Sequence, residues 1–352
     1  MVQIWPAKHT LTMRTTGHDR ILLAHGGGGQ MTDELIRQHI LPSLQNEVLA
    51  ELGDSAKLNV ASSSLCFTTD SYVVKPLFFN GGDIGKLAVC GTVNDLAVAG
   101  SRPVALALSL IIEDGFEIEL LDKILASAGQ TAGQVGVNIV TGDTKTVEAG
   151  AADKIFINTA GIGVRLAGVD LGFEKIAICD KIVINGTIGD HGMTIISQRE
   201  GMKFQSQLKS DCASLAGLIC DLLENTSGIK FMRDPTRGGL AATLNEITRS
   251  TALSVEIRET DIPVRPTVQA AADMLGFDVL TIANEGKLVA VVSPESAEDC
   301  LKICRNHPLG KEANIIGEVV ETGDVPLVEI MTRIGGKRIV QMPYGRELPR
   351  IC

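Results

Sequence analysis

"DIGKLAVCGTVNDLAVAG" (residues 83–100), followed by "VALALSLII" (residues 104–112), sets the fold class. The first run reads as a helix and the second as a buried strand. The strand-like run is about half the ~20 apolar residues that a membrane helix needs. The same alternation continues on both sides. "SSSLCFTT", "VNIVTG" and "KIFINTAGIGV" read as strands, and "EIELLDKILASAGQTAGQVG" as a helix. Upstream, "MTDELIRQHILPSL" is amphipathic and reads as a helix up to Pro42. Alternating strands and helices predict an α/β or α+β layer.

After "RLAGVDLGFEKIAICD" the cycle restarts with strand "KIVINGTI", a helix over about residues 211–225 and helix "TRGGLAATLNEITRST". Strand "LSVEIRE", helix "TVQAAADMLG", the apolar "VLTIAN", strand "KLVAVVS" and helix "SAEDCLKICRN" follow. "ANIIGEVV" and "VEIMTRIGGKRIV" are expected to close the unit as a hairpin-like pair. The expected organisation is a flexible extension (1–20), an N-terminal domain (21–168), a C-terminal α+β domain (169–341) and a mobile tail (342–352). Pro343, Gly345 and Pro349 keep that tail extended.

The 352 residues suffice for about two cores, built mainly from aliphatic residues because aromatics are only 3%. A net charge of −10 argues against nucleic acid or an anionic membrane as the main partner. The first twenty residues lack the apolar core of a signal peptide, so the expected location is cytoplasmic. The 8 cysteines include no CxxC pair. Cys300 and Cys304 share a helix face without a His or second pair to complete a zinc set, which favours packing. Cys352, the last residue, lies outside any such pattern.

Four aspartates occupy related places. Asp70, Asp143 and Asp234 lie at or just past apolar runs, and Asp95 sits in "GTVNDLA" beside Asn94. Each alone fits a turn or cap. Together, beside Gly, Thr or Asn, they suit the oxygen-rich site that magnesium and a phosphate need. "HGGGGQ" is not a Walker loop, because no Lys-Ser or Lys-Thr follows. Gly26, Gly27, Gly28 and Gly29 do precede a helix, where free backbone N–H groups can cradle a triphosphate.

"TTDSYVV", "GTVNDLAVAG", "VTGDTK", "DPTRGG" and "NEGK" resemble the ATP-binding superfamily of aminoimidazole ribonucleotide synthetase, selenophosphate synthetase and thiamine-monophosphate kinase. Within it, "GDHG", "ANEGKLV", "HPLG" and the terminal "PRIC" resemble the HypE family of [NiFe] hydrogenase maturation proteins. The resemblance starts near residue 21; the twenty residues before it stand outside the family pattern, and Met13 is an alternative start. "HGGGG" also departs from that pattern, which often has a Ser among the glycines.

The resemblance implies a two-domain α/β (α+β) fold, with N-terminal domains pairing as a homodimer barrel. It also implies a carbamoyltransferase, HypF, that loads the terminal Cys. ATP-driven dehydration to a thiocyanate follows, and cyanide passes to iron on a HypC–HypD scaffold. Matched by motif, Cys352 is the carrier, while Asp70, Asp95, Asp143 and Asp234 hold Mg2+ and nucleotide. Lys145, His191 and Glu285 then belong to the chemistry.

The chemistry suits these groups. A carboxamide oxygen leaves only after phosphorylation, and phosphoryl transfer needs positioning and neutralised charge. The Asp cluster and Lys145, expected in the same loop as Asp143, would supply both. Loss of N–H protons calls for a base, for which Glu285 in "NEGK" is the first choice and His191 a relay or phosphate contact. Arg237 in "DPTRGG" fits either a phosphate or the following helix. Residues 336–352 can extend roughly 50 Å at ~3.3 Å per residue, enough to swing between sites. The α-carboxylate should raise the Cys352 thiol pKa, making it sluggish until docked on its donor. Two alternatives stand beside this reading: a small-molecule kinase or synthetase with an incidental terminal Cys, and a non-catalytic adaptor that docks by its tail.

Overall fold

The structure, a computed structural model, describes residues 19–22, 34–44, 46, 49, 64–201, 208–343 and 351–352. Four strands form the first sheet: β1 (Leu65–Tyr72), β2 (Ser101–Glu113), β3 (Asn138–Val147) and β4 (Ile155–Arg165). Their order is β1-β4-β2-β3, with β2 and β3 parallel and the other pairs antiparallel. Helices α1 (Ile84–Val98) and α2 (Ile118–Val135) pack with this sheet into one apolar core. Asp83 caps α1 by accepting from Gly85 N and Lys86 N.

Alternation along β1 assigns its side chains. Thr68, Asp70 and Tyr72 point toward α1, while Leu65 and Phe67 face away and are 52% and 71% exposed. The helix sits close because residue 91 is glycine: a Cβ there would meet the Tyr72 hydroxyl at 2.2 Å. Upstream, the chain is π-helical at Ile36–Ile40 and α-helical at Leu41–Leu44, so the helix passes Pro42 instead of ending there. The π turn just before Pro42, in which Leu41 N donates to Ile36 O, is the local irregularity that accompanies a proline inside a helix.

The second sheet contains β5 (Lys181–Ile184), β6 (Ile229–Arg233), β7 (Ser254–Arg258), β8 (Val289–Val292), β9 (Asn314–Val320), β10 (Val328–Met331) and β11 (Lys337–Ile339). Its order is β11-β10-β7-β9-β5-β8-β6. Helices α4 (Ala216–Asn225), α5 (Gly239–Thr251) and α7 (Ala297–Asn306) pack on it, whereas apolar residues of α3 (Asp190–Arg199) and α6 (Pro266–Leu275) join the core of the first sheet. β8 is buried at every position, which explains its unbroken apolar sequence.

Two expectations fail here. "ANIIGEVV" does not pair with "VEIMTRIGGKRIV"; β9 lies between β5 and β7, and the hairpin is β10–β11 within the second stretch. The helix expected from residue 211 starts at Ala216, because Asp211 turns back to accept from Glu285 N at 3.2 Å. Among the described residues no helix is long and apolar enough to cross a membrane.

Candidate active site

The chain end lies inside the protein. Ile351 is 3% exposed and belongs to the same apolar core as Tyr72, Val74, Met193 and Cys212. Its carbonyl accepts from His191 Nε2 at 2.8 Å, and the Cys352 O accepts from Val73 N at 3.1 Å, just beyond β1. These contacts seat the Cys352 thiol near Glu285, Asp70 and Arg237. Burial pushes the thiol up to about 12, the Glu285 carboxyl adds to this, and Arg237 opposes it. In this inward position burial and Glu285 are the main causes, a different situation from the free tail for which the α-carboxylate effect is expected.

Glu285 and Asp70 act on this thiol, and through Asp70 they connect to two further acids. Asp70 points from β1, where its Oδ1 accepts from Ser71 N and lies 3.7 Å from Arg237 Nη2. Asp95, in the last turn of α1, accepts from Thr68 Oγ1 at 2.9 Å. Burial raises its pKa, and Asp70 adds to the effect. Asp234 follows β6; burial and then Asp95 push it up to about 7. Glu285 is 3% exposed, and burial followed by Asp234, Asp211 and Asp70 holds its carboxyl well above the usual range. Its Oε1 is buried without a hydrogen-bond partner. Asp95 and Asp234 also line an open cleft of about 680 Å³ with Thr68, Arg233 and Phe231.

Backbone staples bring these motifs together. Asn284 Oδ1 accepts from Gly189 N at 2.7 Å, and its Nδ2 donates to Pro235 O at 2.9 Å. One buried amide thus ties "GDHG" and "DPTRGG" to "NEGK". Asp211 orients Glu285 through its N–H and lies 3.2 Å from Lys287 Nζ. Residue 286 must be small, since a Cβ there would meet Asp211 O at 2.0 Å. Sequence reasoning missed Asp211 and Asn284; only the motif "NEGK" itself hinted at the latter.

Matches to known proteins agree with this architecture. The model described as AIR synthase related protein, N-terminal domain, matches residues 53–165, and its C-terminal counterpart matches residues 180–328. "Carbamoyl dehydratase HypE" of Bradyrhizobium diazoefficiens is 49% identical over 331 residues, covering 94% of this chain and 95% of that protein. The chain belongs to the HypE family. A crystal structure of hydrogenase maturation protein HypE in complex with ATP superposes with a TM-score of 0.91 at 43% identity, covering 94% of this chain and 99% of that one. HypE in a HypE–HypF complex gives 0.77 at 45% identity, covering 90% and 100%.

Several candidate residues of this HypE-family chain lie where its sequence did not place them. Asp143 and Lys145 lie within β3, not in a loop, and pair with each other at 3.0 Å. Register puts Ser71, Asn158, Ser109 and Asp143 in one row across the sheet. Asp143 is therefore roughly 14 Å from β1 at ~4.8 Å per strand, on the face opposite Asp70. The four-aspartate cluster is corrected to three in one chain. Among the described residues no group of three or more His, Cys, Asp or Glu side chains is placed to hold an ion.

Asn94 is corrected from a nucleotide ligand to a staple. It is 2% exposed, accepts from Leu215 N and donates to Ala213 O. His191, expected to relay protons or touch phosphate, instead has both ring nitrogens engaged, one of them by the tail. Gly26, Gly27, Gly28 and Gly29, the proposed phosphate flap, lie outside the described residues, as do Pro349 and Arg350.

Proposed function

We propose that this chain is the ATP-dependent carbamoyl dehydratase of [NiFe] hydrogenase maturation. It acts on a carbamoyl group carried by its own Cys352. The observation that carries this reading is the chain end drawn into the core, with the Ile351 carbonyl on His191 and the Cys352 O on Val73 N, within the electrostatic reach of Glu285, Asp70 and Arg237. HypF would load the carrier, as the HypE–HypF complex of a relative suggests, and the HypC–HypD scaffold would accept cyanide.

ATP binding is supported by the relative solved with ATP. The γ-phosphoryl passes to the carbamoyl oxygen, giving ADP and an O-phosphorylated imidate after loss of one N–H proton. Loss of phosphate, with the second N–H proton leaving to phosphate or solvent, then yields S–C≡N. Glu285 is assigned the proton abstraction, because a buried carboxylate of raised pKa is a strong base once ionised. Arg237 is assigned to the carbamoyl-phosphate side, since it is the cation that faces both Asp70 and the thiol.

Asp70, Asp95 and Asp234 repel one another and two of them resist ionisation, a charge that a bound cation relieves, although the three carboxylates are not placed as a complete set of ligands. With nucleotide phosphate oxygens and water completing the set, they would bind Mg2+, which neutralises phosphate charge. A second copy would supply Asp143 and Lys145. The sheet face carrying Leu65, Phe67 and Ile111 is exposed, and β1 and β3 form its edges. Pairing of two such half-barrels in a homodimer covers that face and carries one copy's β3 to the other's β1.

The test is mass spectrometry of the C-terminal peptide after incubation with the donor system and ATP. A carbamoyl gain followed by loss of one water is expected. Glu285→Gln should retain the carbamoyl adduct and lose dehydration by about 100-fold or more. Water loss at the normal rate in that variant would remove Glu285 from the mechanism. Phe67→Asp should yield a monomer by sedimentation; a persisting dimer would refute the barrel assignment.

A further inference from the structure

His191 is 0% exposed and begins the second residue of α3, fixed from three sides. Its Nδ1 lies 2.8 Å from Ser210 Oγ, its Nε2 2.8 Å from Ile351 O, and its ring meets Phe79 edge-on at 5.4 Å. The proton positions follow from the partners. A carbonyl oxygen only accepts, so Nε2 carries the hydrogen. Burial pushes the imidazole pKa down, so the ring is neutral and Nδ1 is bare. The Ser210 hydroxyl therefore donates to Nδ1, and its oxygen accepts from Cys212 N at 3.0 Å. A directed chain runs from the Cys212 N–H through Ser210 and His191 to the tail.

We propose that His191 is a positioning residue: a main-chain latch that holds the carbonyl of residue 351 and so sets how deep the Cys352 sulfur sits beside Glu285. Its ligand is the backbone of the carrier tail itself. The inference rests on the reading of Cys352 as the carrier, but the latch is testable without turnover. When the tail leaves, Nε2–H loses the one acceptor it has among the described residues, which biases the tail toward the docked position. Among the described residues the latch is the third of three anchors, beside Ile351 in its apolar socket and Val73 N on the chain end, and it is the hydrogen bond that grips the carbonyl before the carrier residue. It lets the same tail be held without holding the cargo, so that carbamoyl and cyano forms dock in one register.

The test uses the full-length protein and reads alkylation of Cys352 by iodoacetamide, followed on the C-terminal peptide by mass spectrometry. His191→Gln places an amide N–H where Nε2 was and should stay near the wild-type rate. His191→Asn keeps the Ser210 side and loses the tail donor, so the rate should rise about five- to tenfold, the weight of one buried hydrogen bond. Ser210→Ala, which frees the tautomer, should fall between them. A general folding defect would expose the other cysteines together, whereas loss of the latch exposes Cys352 alone. Equal Cys352 rates in the Asn variant and the wild type would overturn the latch. If instead the alkylation pattern holds but no variant shows carbamoyl dehydration, the latch stands and the carrier reading fails.

Discussion

Replacing Ile351 by alanine isolates the apolar part of tail docking. The side chain is 3% exposed, so the substitution withdraws essentially all of the burial of the three carbons it removes. At about 0.8 kcal/mol per buried carbon, the docked state should lose about 2.4 kcal/mol relative to the free tail. That corresponds to about a fiftyfold shift in the docked-to-free ratio. Cavity terms add less than in a sealed core, because the socket opens when the tail leaves. The thiol is protected while docked, so its alkylation rate reports the free fraction. Full-length Ile351→Ala should therefore react at Cys352 about fifty times faster, up to the rate of an unstructured thiol. Ile351→Val, one carbon smaller, should show only a severalfold rise. A rate unchanged in the alanine variant, with folding intact by circular dichroism, would mean that the socket does not hold the tail and that the energetic reasoning is wrong.

Two further outcomes follow from the geometry. Burial raises the docked thiol from its ordinary 9.0 to about 12, so docking favours the protonated form. That contribution is complete below pH 9 and is lost as pH rises toward 12, at about tenfold in the docked ratio per unit. Methyl NMR of Ile351 should show release beginning above pH 9, and a docked population constant to pH 11 would contradict a buried thiol. Asn284→Ala strands the Gly189 N–H in a buried site, while the Pro235 carbonyl keeps the backbone N–H of residue 284 at 3.2 Å, and should cost about 1–3 kcal/mol in urea unfolding. A loss under about 0.5 kcal/mol would show that the staple is dispensable.

Much of this was legible along the chain. Short apolar runs with α1 and α2 between them marked the elements of the first sheet, and "KLVAVVS" was readable as a strand, whose burial at every position the fold then showed. The residues of the thiol site, Asp70, Asp95, Asp234, Glu285 and Cys352, were also visible, because each sits in a short motif at the end or turn of an element. The errors came where a residue's job depends on a distant partner. Asn94 looks like a ligand beside Asp95, yet its amide is consumed by Leu215 and Ala213. Asp211 sits in an ordinary "KSDCASL" and carries no local mark of its contact with Glu285.

The sequence by itself determined which faces are apolar, where the acids fall within each element and that the chain closes on a thiol, since these are properties of periodicity and position. The tertiary structure decided that the thiol lies inward on His191 and that Asp143 stands across the sheet from Asp70. Both depend on strand order and on the path of the returning tail. Those are set by which long-range pairings bury most surface together, a quantity no local stretch of residues contains.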